Sequence, residues 1–170
     1  MPLKRAILFF ALLVGTGIAA LAFGAYAFGH AKGTTAAWVR DMPLTSYGKQ
    51  RVIYHVDQRA GLLNGHFRHV LQVAQNHIDA VGAENLDLRI LLQGEGVDLL
   101  SWAKGDAAAQ AAIDGLKKQG VKFQVCRNTL VVRGIDPDVE LHDVKREDVI
   151  RAAVGEIAAL ESEGFRYIKP

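Results

Sequence analysis

A chain of 170 residues has room for one ordinary domain but not for two. From Thr45 to Pro170 it carries 16 Lys and Arg against 17 Asp and Glu, a net charge of −1, so the excess positive charge of the whole chain comes from its N-terminal part. A near-neutral domain lacks the basic surface that nucleic-acid binding requires. The single cysteine also excludes an internal disulfide and a cysteine-based metal cluster.

The N-terminal segment has the pattern of a membrane span. Residues 6–28 form a run of 23 residues without a charged side chain, and a spanning helix needs about 20 such residues. Lys4 and Arg5 precede the run and predict a cytoplasmic N-terminus, which puts the following domain on the periplasmic side. We therefore predict an anchor within residues 1–29 that contacts the lipid bilayer through residues 6–28.

Two other interpretations of this segment stay open. The stretch A-Y-A at 25–27 has the small-x-small form of a cleavage site, so cleavage near Ala27 would release the domain into the periplasm. The apolar run is longer than the roughly 7–15 residues of a signal-peptide core, which favours the anchor. An inverted anchor would instead leave the domain in the cytoplasm.

A linker and the start of the folded domain follow. Residues 30–49 are rich in Gly, Ala and Thr without a clear period, and we interpret them as the linker. Residues 50–170 are the predicted domain. Its first strand is expected at 51–57, a β-branched and aromatic run. An amphipathic helix follows within 61–82, with Asn64 or Gly65 at its start.

The rest of the domain alternates between strands and helices. Further strands are predicted at 86–93, 121–125 and 165–169, with an edge strand near Leu141–Val144, and helices or helical turns at 97–105, 106–120, 126–134 and 148–162. This alternation is typical of an α/β fold: a mostly parallel central sheet of about five strands with helices on both faces.

Ligands of such sheets bind at the carboxyl ends of the strands, and Cys126 directly follows the third strand. Backbone N–H groups of the helical turn after it, together with the charge of Arg127, would favour the nucleophilic thiolate. We therefore expect a reactive, partly accessible thiol. An inert buried cysteine is the alternative.

Histidines and carboxylates offer further candidates. His55 and Asp57 alternate on the first strand and would lie on one side of its end, either beside the sulfur or as a cap for a neighbouring helix. His66, His69 and His77 fall on one helix, but they form no convergent zinc-ligand set. Neither a glycine-rich dinucleotide motif nor a P-loop is present. We predict no metal and no organic cofactor.

Four stretches together resemble the DsrE/DsrF-like proteins of sulfur metabolism. They are Y-H-V-D-Q at 54–58, A-Q-N-H-I-D-A-V-G at 74–82, V-C-R-N-T-L-V-V-R-G-I at 125–135 and G-E-I-A-A-L-E-S-E-G-F-R-Y-I-K-P at 155–170. The resemblance covers about residues 50–170. Many relatives carry a His-Gly-Pro-Gly-like stretch after the second strand, where this chain has Q-G-E-G at 93–96.

The resemblance implies a parallel α/β fold, small homo-oligomers (trimers or hexamers) and sulfur relay between partner proteins. The family cysteine, which carries sulfur as a persulfide, corresponds to Cys126. Recurring polar positions of the family match possible supporting groups here: His55, Asp57, Asn128 and Thr129.

Two functions are therefore considered for this chain. The first is a membrane-anchored or exported sulfur carrier, similar to a sulfurtransferase, that exchanges sulfur with donor and acceptor proteins or small sulfur compounds. The second is a non-catalytic oligomeric accessory or binding domain attached to a membrane complex.

Overall fold

The computed structural model describes residues 36–40, Pro43 and 45–170. The chain divides between Pro43 and Leu44 into two units. Of the first unit the structure describes a short helix, α1 (Ala37–Arg40), which falls within the predicted linker. The predicted span at residues 6–28 lies outside the described residues, and no helix among the described ones is long and apolar enough to cross a membrane.

The second unit is built on five parallel strands. They are β1 (Gln50–Val56), β2 (Leu86–Leu92), β3 (Lys122–Cys126), β4 (Val149–Ile150) and β5 (Arg166–Ile168). Their order across the sheet is β4-β3-β2-β1-β5, and each neighbouring pair is parallel. This confirms the predicted α/β fold with a parallel sheet of about five strands. The central strands are almost wholly apolar because both faces of the sheet are covered.

Six helices of this unit connect or flank the strands. They are α2 (Gly65–Val81), α3 (Asp98–Lys104), α4 (Ala107–Lys118), α5 (Arg127–Arg133), α6 (Pro137–Glu140) and α7 (Ala153–Ser162). The larger core joins one face of the sheet to α2, α3 and α4, with Phe67, Ile113 and Phe123 among its buried side chains. The smaller core joins the other face to α7, where Ile53 and Leu160 pack together with Cys126.

Local sequence signals explain where the long helices begin and end. Asp106 caps α4 by accepting hydrogen bonds from the N–H groups of Ala108 and Ala109, both at 3.0 Å. Gly82 directly follows α2, at a φ of 87° that favours glycine. Asn64 precedes α2 as expected, but its side chain makes no capping hydrogen bond.

The structure differs from the prediction between residues 141 and 152. The edge strand expected near Leu141–Val144 is wrong, since β4 lies at Val149–Ile150 and pairs with Val125 and Cys126. The last helix begins at Ala153 instead of residue 148, because the chain must stay extended to complete this pairing. Leu141 is still buried in the larger core, as an anchored loop residue.

Candidate functional site

Cys126 is the last residue of β3 and the residue from which α5 starts. It pairs with Ile150 of β4, and only 3% of its surface is exposed. Ile150 and Ala153 belong to the same buried cluster. The expectation of a partly accessible thiol is therefore wrong for this structure, in which Cys126 is almost wholly buried although it is one of the residues that line a pocket.

Hydrogen-bond donors surround the Cys126 sulfur. Burial raises the pKa of this thiol, but hydrogen bonds from the backbone N–H of Ala153, from the N–H and hydroxyl of Thr129 and from the N–H of Asn128 outweigh burial and hold the pKa below its usual value. The donors come from the first turns of two helices, α5 and α7. This arrangement favours the thiolate form, which is the nucleophile.

The Thr129 hydroxyl is fixed in direction by a second hydrogen bond. Its Oγ1 accepts from the backbone N–H of Gly94 at 2.9 Å, which leaves the hydroxyl proton to be donated to the sulfur. The carbonyl of Gly94 accepts in turn from Arg133 Nη1 at 2.8 Å. Arg133 also forms an ion pair with Asp98 at 2.7 Å. The turn after β2 is therefore bound to α5 through both the N–H and the carbonyl of Gly94.

A pocket of about 270 Å³ opens beside Cys126. One water molecule takes about 30 Å³ in the liquid, so the pocket has room for several groups of that size. Gln93 and Asn128 contribute polar side chains to the lining, whereas Val132 and Val154, 85% and 66% exposed, form apolar parts of it. No carboxylate lies among the lining residues.

His55 is connected to this pocket through Gln93. Its Nε2 lies 3.1 Å from Gln93 Oε1, and its Nδ1 lies 3.0 Å from the hydroxyl of Tyr167. Asp57 is bound elsewhere, by Lys169 at 2.9 Å, and it does not line the pocket. Both side chains therefore contact the C-terminal segment, at Tyr167 and Lys169, and only His55 is linked to the pocket, through Gln93.

Arg127 is also outside the site. Its side chain is exposed and lines a different pocket, together with Pro137, Lys145 and Arg146. The positive environment of the sulfur therefore comes from backbone N–H groups and not from the neighbouring guanidinium. Of the predicted site residues, the structure brings together Cys126, Asn128 and Thr129.

Three contributors are not among the predicted site residues: Gln93, Gly94 and Ala153. The Q-G-E-G stretch does stand at the end of a predicted strand, and this was the available signal for the first two. Ala153 carries no such signal, since it contributes only a backbone N–H and lies far along the chain from Cys126.

The described residues contain no group of three or more His, Cys, Asp or Glu placed to hold a metal ion. His77 is instead hydrogen-bonded to Tyr54 at 3.0 Å and to Gln50 at 2.8 Å.

An all-parallel sheet with one buried thiol at the end of a central strand defines an α/β protein with a single-cysteine site. Residues 68–170 match the model of the DsrE/DsrF-like family, and the chain belongs to this family. Proteins of this family generally work in sulfur relay with partner proteins.

A solved structure supports the same fold. The protein of unknown function MTH1491 from Methanobacterium thermoautotrophicum is 26% identical to this chain, with a TM-score of 0.58. The similarity covers 72% of this chain and 100% of that one. No curated protein matches the sequence.

Proposed function

We propose that this protein is a sulfur carrier in which Cys126 holds sulfane sulfur as a persulfide. The observation that carries the proposal is the convergence of three backbone N–H groups and the Thr129 hydroxyl on one sulfur atom beside a pocket. These donors stabilise negative charge on the Cys126 sulfur, which favours the thiolate that accepts sulfane sulfur and that is regenerated when the sulfur is released.

The transfer is a displacement at sulfur. The Cys126 thiolate attacks the sulfane sulfur of a persulfide donor, R–S–SH. A new S–S bond forms to Cys126, the donor S–S bond breaks, and R–S⁻ leaves with the electron pair. The proton stays on the transferred sulfur. Release to an acceptor thiolate reverses these steps and returns Cys126 as a thiolate. Sulfur is neither gained nor lost, and no external oxidant is required.

We also propose a membrane-anchored location, with residues 6–28 in the bilayer and the domain on the periplasmic side. The charge-free run and the preceding Lys4 and Arg5 support this location. Membership of the family supports assembly into a small homo-oligomer. A monomeric mass of the full chain by light scattering in mild detergent would contradict the assembly.

The carrier function is tested by mass spectrometry of the full chain after exposure to inorganic polysulfide. We expect the mass of one or more sulfur atoms to be added, and to be removed again by a thiol reductant. Cys126→Ser should abolish the gain while the circular dichroism spectrum stays unchanged, since serine is close to cysteine in size. If the wild-type chain gains no sulfur, the carrier function is wrong and the accessory-domain function replaces it.

A further inference from the structure

We propose that Gln93 is a positioning residue whose side-chain amide donates a hydrogen bond to the anionic end of the sulfur donor bound in the Cys126 pocket. This inference rests on the proposed function and makes it more specific. It assigns the site to small sulfane compounds whose negative charge lies away from the sulfur that Cys126 attacks, such as inorganic polysulfides, in preference to neutral di- and trisulfides.

His55 holds the side-chain amide of Gln93 in one orientation. Its Oε1 faces His55 Nε2 at 3.1 Å, so the imidazole carries a proton on Nε2 and donates it. The other ring nitrogen, Nδ1, then accepts from the Tyr167 hydroxyl at 3.0 Å. Tyr167 therefore fixes the tautomer of His55, and His55 fixes the orientation of the Gln93 amide. The amide oxygen of Gln93 is occupied by His55 and is not available to a ligand.

The amide nitrogen of Gln93 is left free to donate. With Oε1 engaged, Nε2 of Gln93 has two N–H groups to donate, and it has no hydrogen-bond partner among the described residues. Gln93 lines the pocket beside Cys126, whereas His55 and Tyr167 do not. The donor that this side chain can offer is therefore available to a molecule in the pocket.

The charges around the pocket favour an anionic ligand. Its lining contains no carboxylate, and its one cation, Arg133, is paired with Asp98. The first turn of α7, a helix of ten residues, begins at Ala153 in the same lining. An anionic terminus would meet amide donors and the positive end of a helix there, and a neutral ligand would gain little from either.

Two alkylating reagents test this preference on the full chain. Iodoacetate and iodoacetamide both lose iodide to the Cys126 thiolate as a C–S bond forms, but only iodoacetate is an anion. Because both reagents attack the same thiolate, the ratio of their rates does not depend on the pKa of Cys126. The unfolded chain, in which the pocket is absent, gives the reference ratio.

We expect the folded chain to favour iodoacetate relative to the unfolded chain. Gln93→Leu should slow iodoacetate by about tenfold, the lower end of the effect of one lost hydrogen bond to a charged group, and leave the iodoacetamide rate unchanged. Gln93→Glu should slow iodoacetate further, because it places a carboxylate in the pocket. Gln72→Leu, at an exposed position of α2, is the matched control and should change neither rate.

His55→Leu separates orientation from contact. It removes the group that holds Oε1, so the preference for iodoacetate should fall by less than in Gln93→Leu. Polysulfide loading of the same variants keeps the two proposals distinguishable. Normal sulfur loading with an unchanged rate ratio in Gln93→Leu would overturn the role of Gln93 and leave the carrier function intact. The role of Gln93 would also be overturned if Gln93→Leu slowed both reagents equally, or if the folded wild-type chain reacted with neither reagent.

Discussion

Gly96 packs so closely against Val56 that a β-carbon at this position would overlap the carbonyl of Val56. The turn after β2 therefore rests directly on the backbone at the end of β1. The backbone N–H of Gln93 reinforces this contact by donating to the same Val56 carbonyl at 3.0 Å. Since Gln93 and Gly94 line the Cys126 pocket, this contact determines the position of one of its walls.

Gly96→Ala should destabilise the protein by about 1–3 kcal/mol, the usual cost of overpacking a buried site. The cost cannot be relieved by a side-chain rotation, because the obstacle is backbone. Gly115→Ala is the matched control, since Gly115 lies within α4 with open space around its Cα. It should stabilise by about 0.5–1 kcal/mol. Urea unfolding midpoints at constant slope measure both effects, and an unchanged midpoint for Gly96→Ala would contradict the contact.

Thr129→Val should raise the pKa of Cys126, because it removes the hydroxyl that donates to the sulfur. It also leaves the Gly94 N–H without its acceptor, at a cost of about 1–3 kcal/mol of stability. Thr129→Ser keeps the hydroxyl and should leave the pKa nearly unchanged. The pH dependence of the iodoacetamide rate reports the pKa in each variant.

Arg127→Ala is the control for this series. Sequence proximity predicts that Arg127 lowers the pKa of Cys126, but the structure turns its side chain toward another pocket. We therefore expect no change in the pKa. A rise as large as that in Thr129→Val would show that the guanidinium acts on the sulfur after all.

The edge-strand region shows why part of the fold could not be predicted. Val149 and Ile150 fall in a sequence, E-D-V-I-R-A-A-V-G-E-I, that reads equally well as a helix start, and two residues are too few to show a strand period. Pairing with Val125 and Cys126 decides between the two states, and it depends on residues distant along the chain. The longer strands β1 and β2 carry enough β-branched and apolar residues to be recognised locally.

The candidate site, like the fold, could be predicted only in part from the local sequence. The position of Cys126 at the end of a central strand follows from local pattern and from the rule for parallel sheets. The donors around its sulfur do not, because Ala153 acts only through its backbone N–H and has no distinctive side chain. Alternation on β1 places Asp57 on the same side as His55, but the contact of Asp57 with Lys169, near the end of the chain, is contained in no local pattern.

His77, in α2, should make the free energy of unfolding sensitive to acid. Burial lowers the pKa of His77, which is hydrogen-bonded to Tyr54 and Gln50. Below the unfolded pKa of about 6.5 the unfolded chain binds a proton that the folded chain binds less readily, so the free energy of unfolding falls as the pH is lowered. His77→Gln should flatten this dependence.

The proposed location predicts the behaviour of C-terminal fusions. A reporter enzyme that is active only outside the cytoplasm, fused after Pro170, should be active because Lys4 and Arg5 hold the N-terminus inside. Carbonate extraction then distinguishes the anchor from a cleaved signal, since an anchored chain stays in the membrane fraction. Full activity of a reporter that works only in the cytoplasm would contradict export.

The thiolate of Cys126 should itself contribute to stability. Because hydrogen bonds lower its pKa in the folded protein, the folded state releases the thiol proton at a lower pH than the unfolded state. The contribution is therefore fully present above the unfolded pKa of about 8.5 and is lost as the pH falls through the folded pKa.

Cys126→Ala removes this contribution, together with a packing contribution that does not depend on pH. The difference in unfolding free energy between wild type and Cys126→Ala should accordingly grow as the pH rises and level off above about 8.5. Urea unfolding at a series of pH values measures this difference. A constant difference would mean that the hydrogen bonds do not favour the thiolate, and the chemical basis for sulfur transfer at Cys126 would be lost.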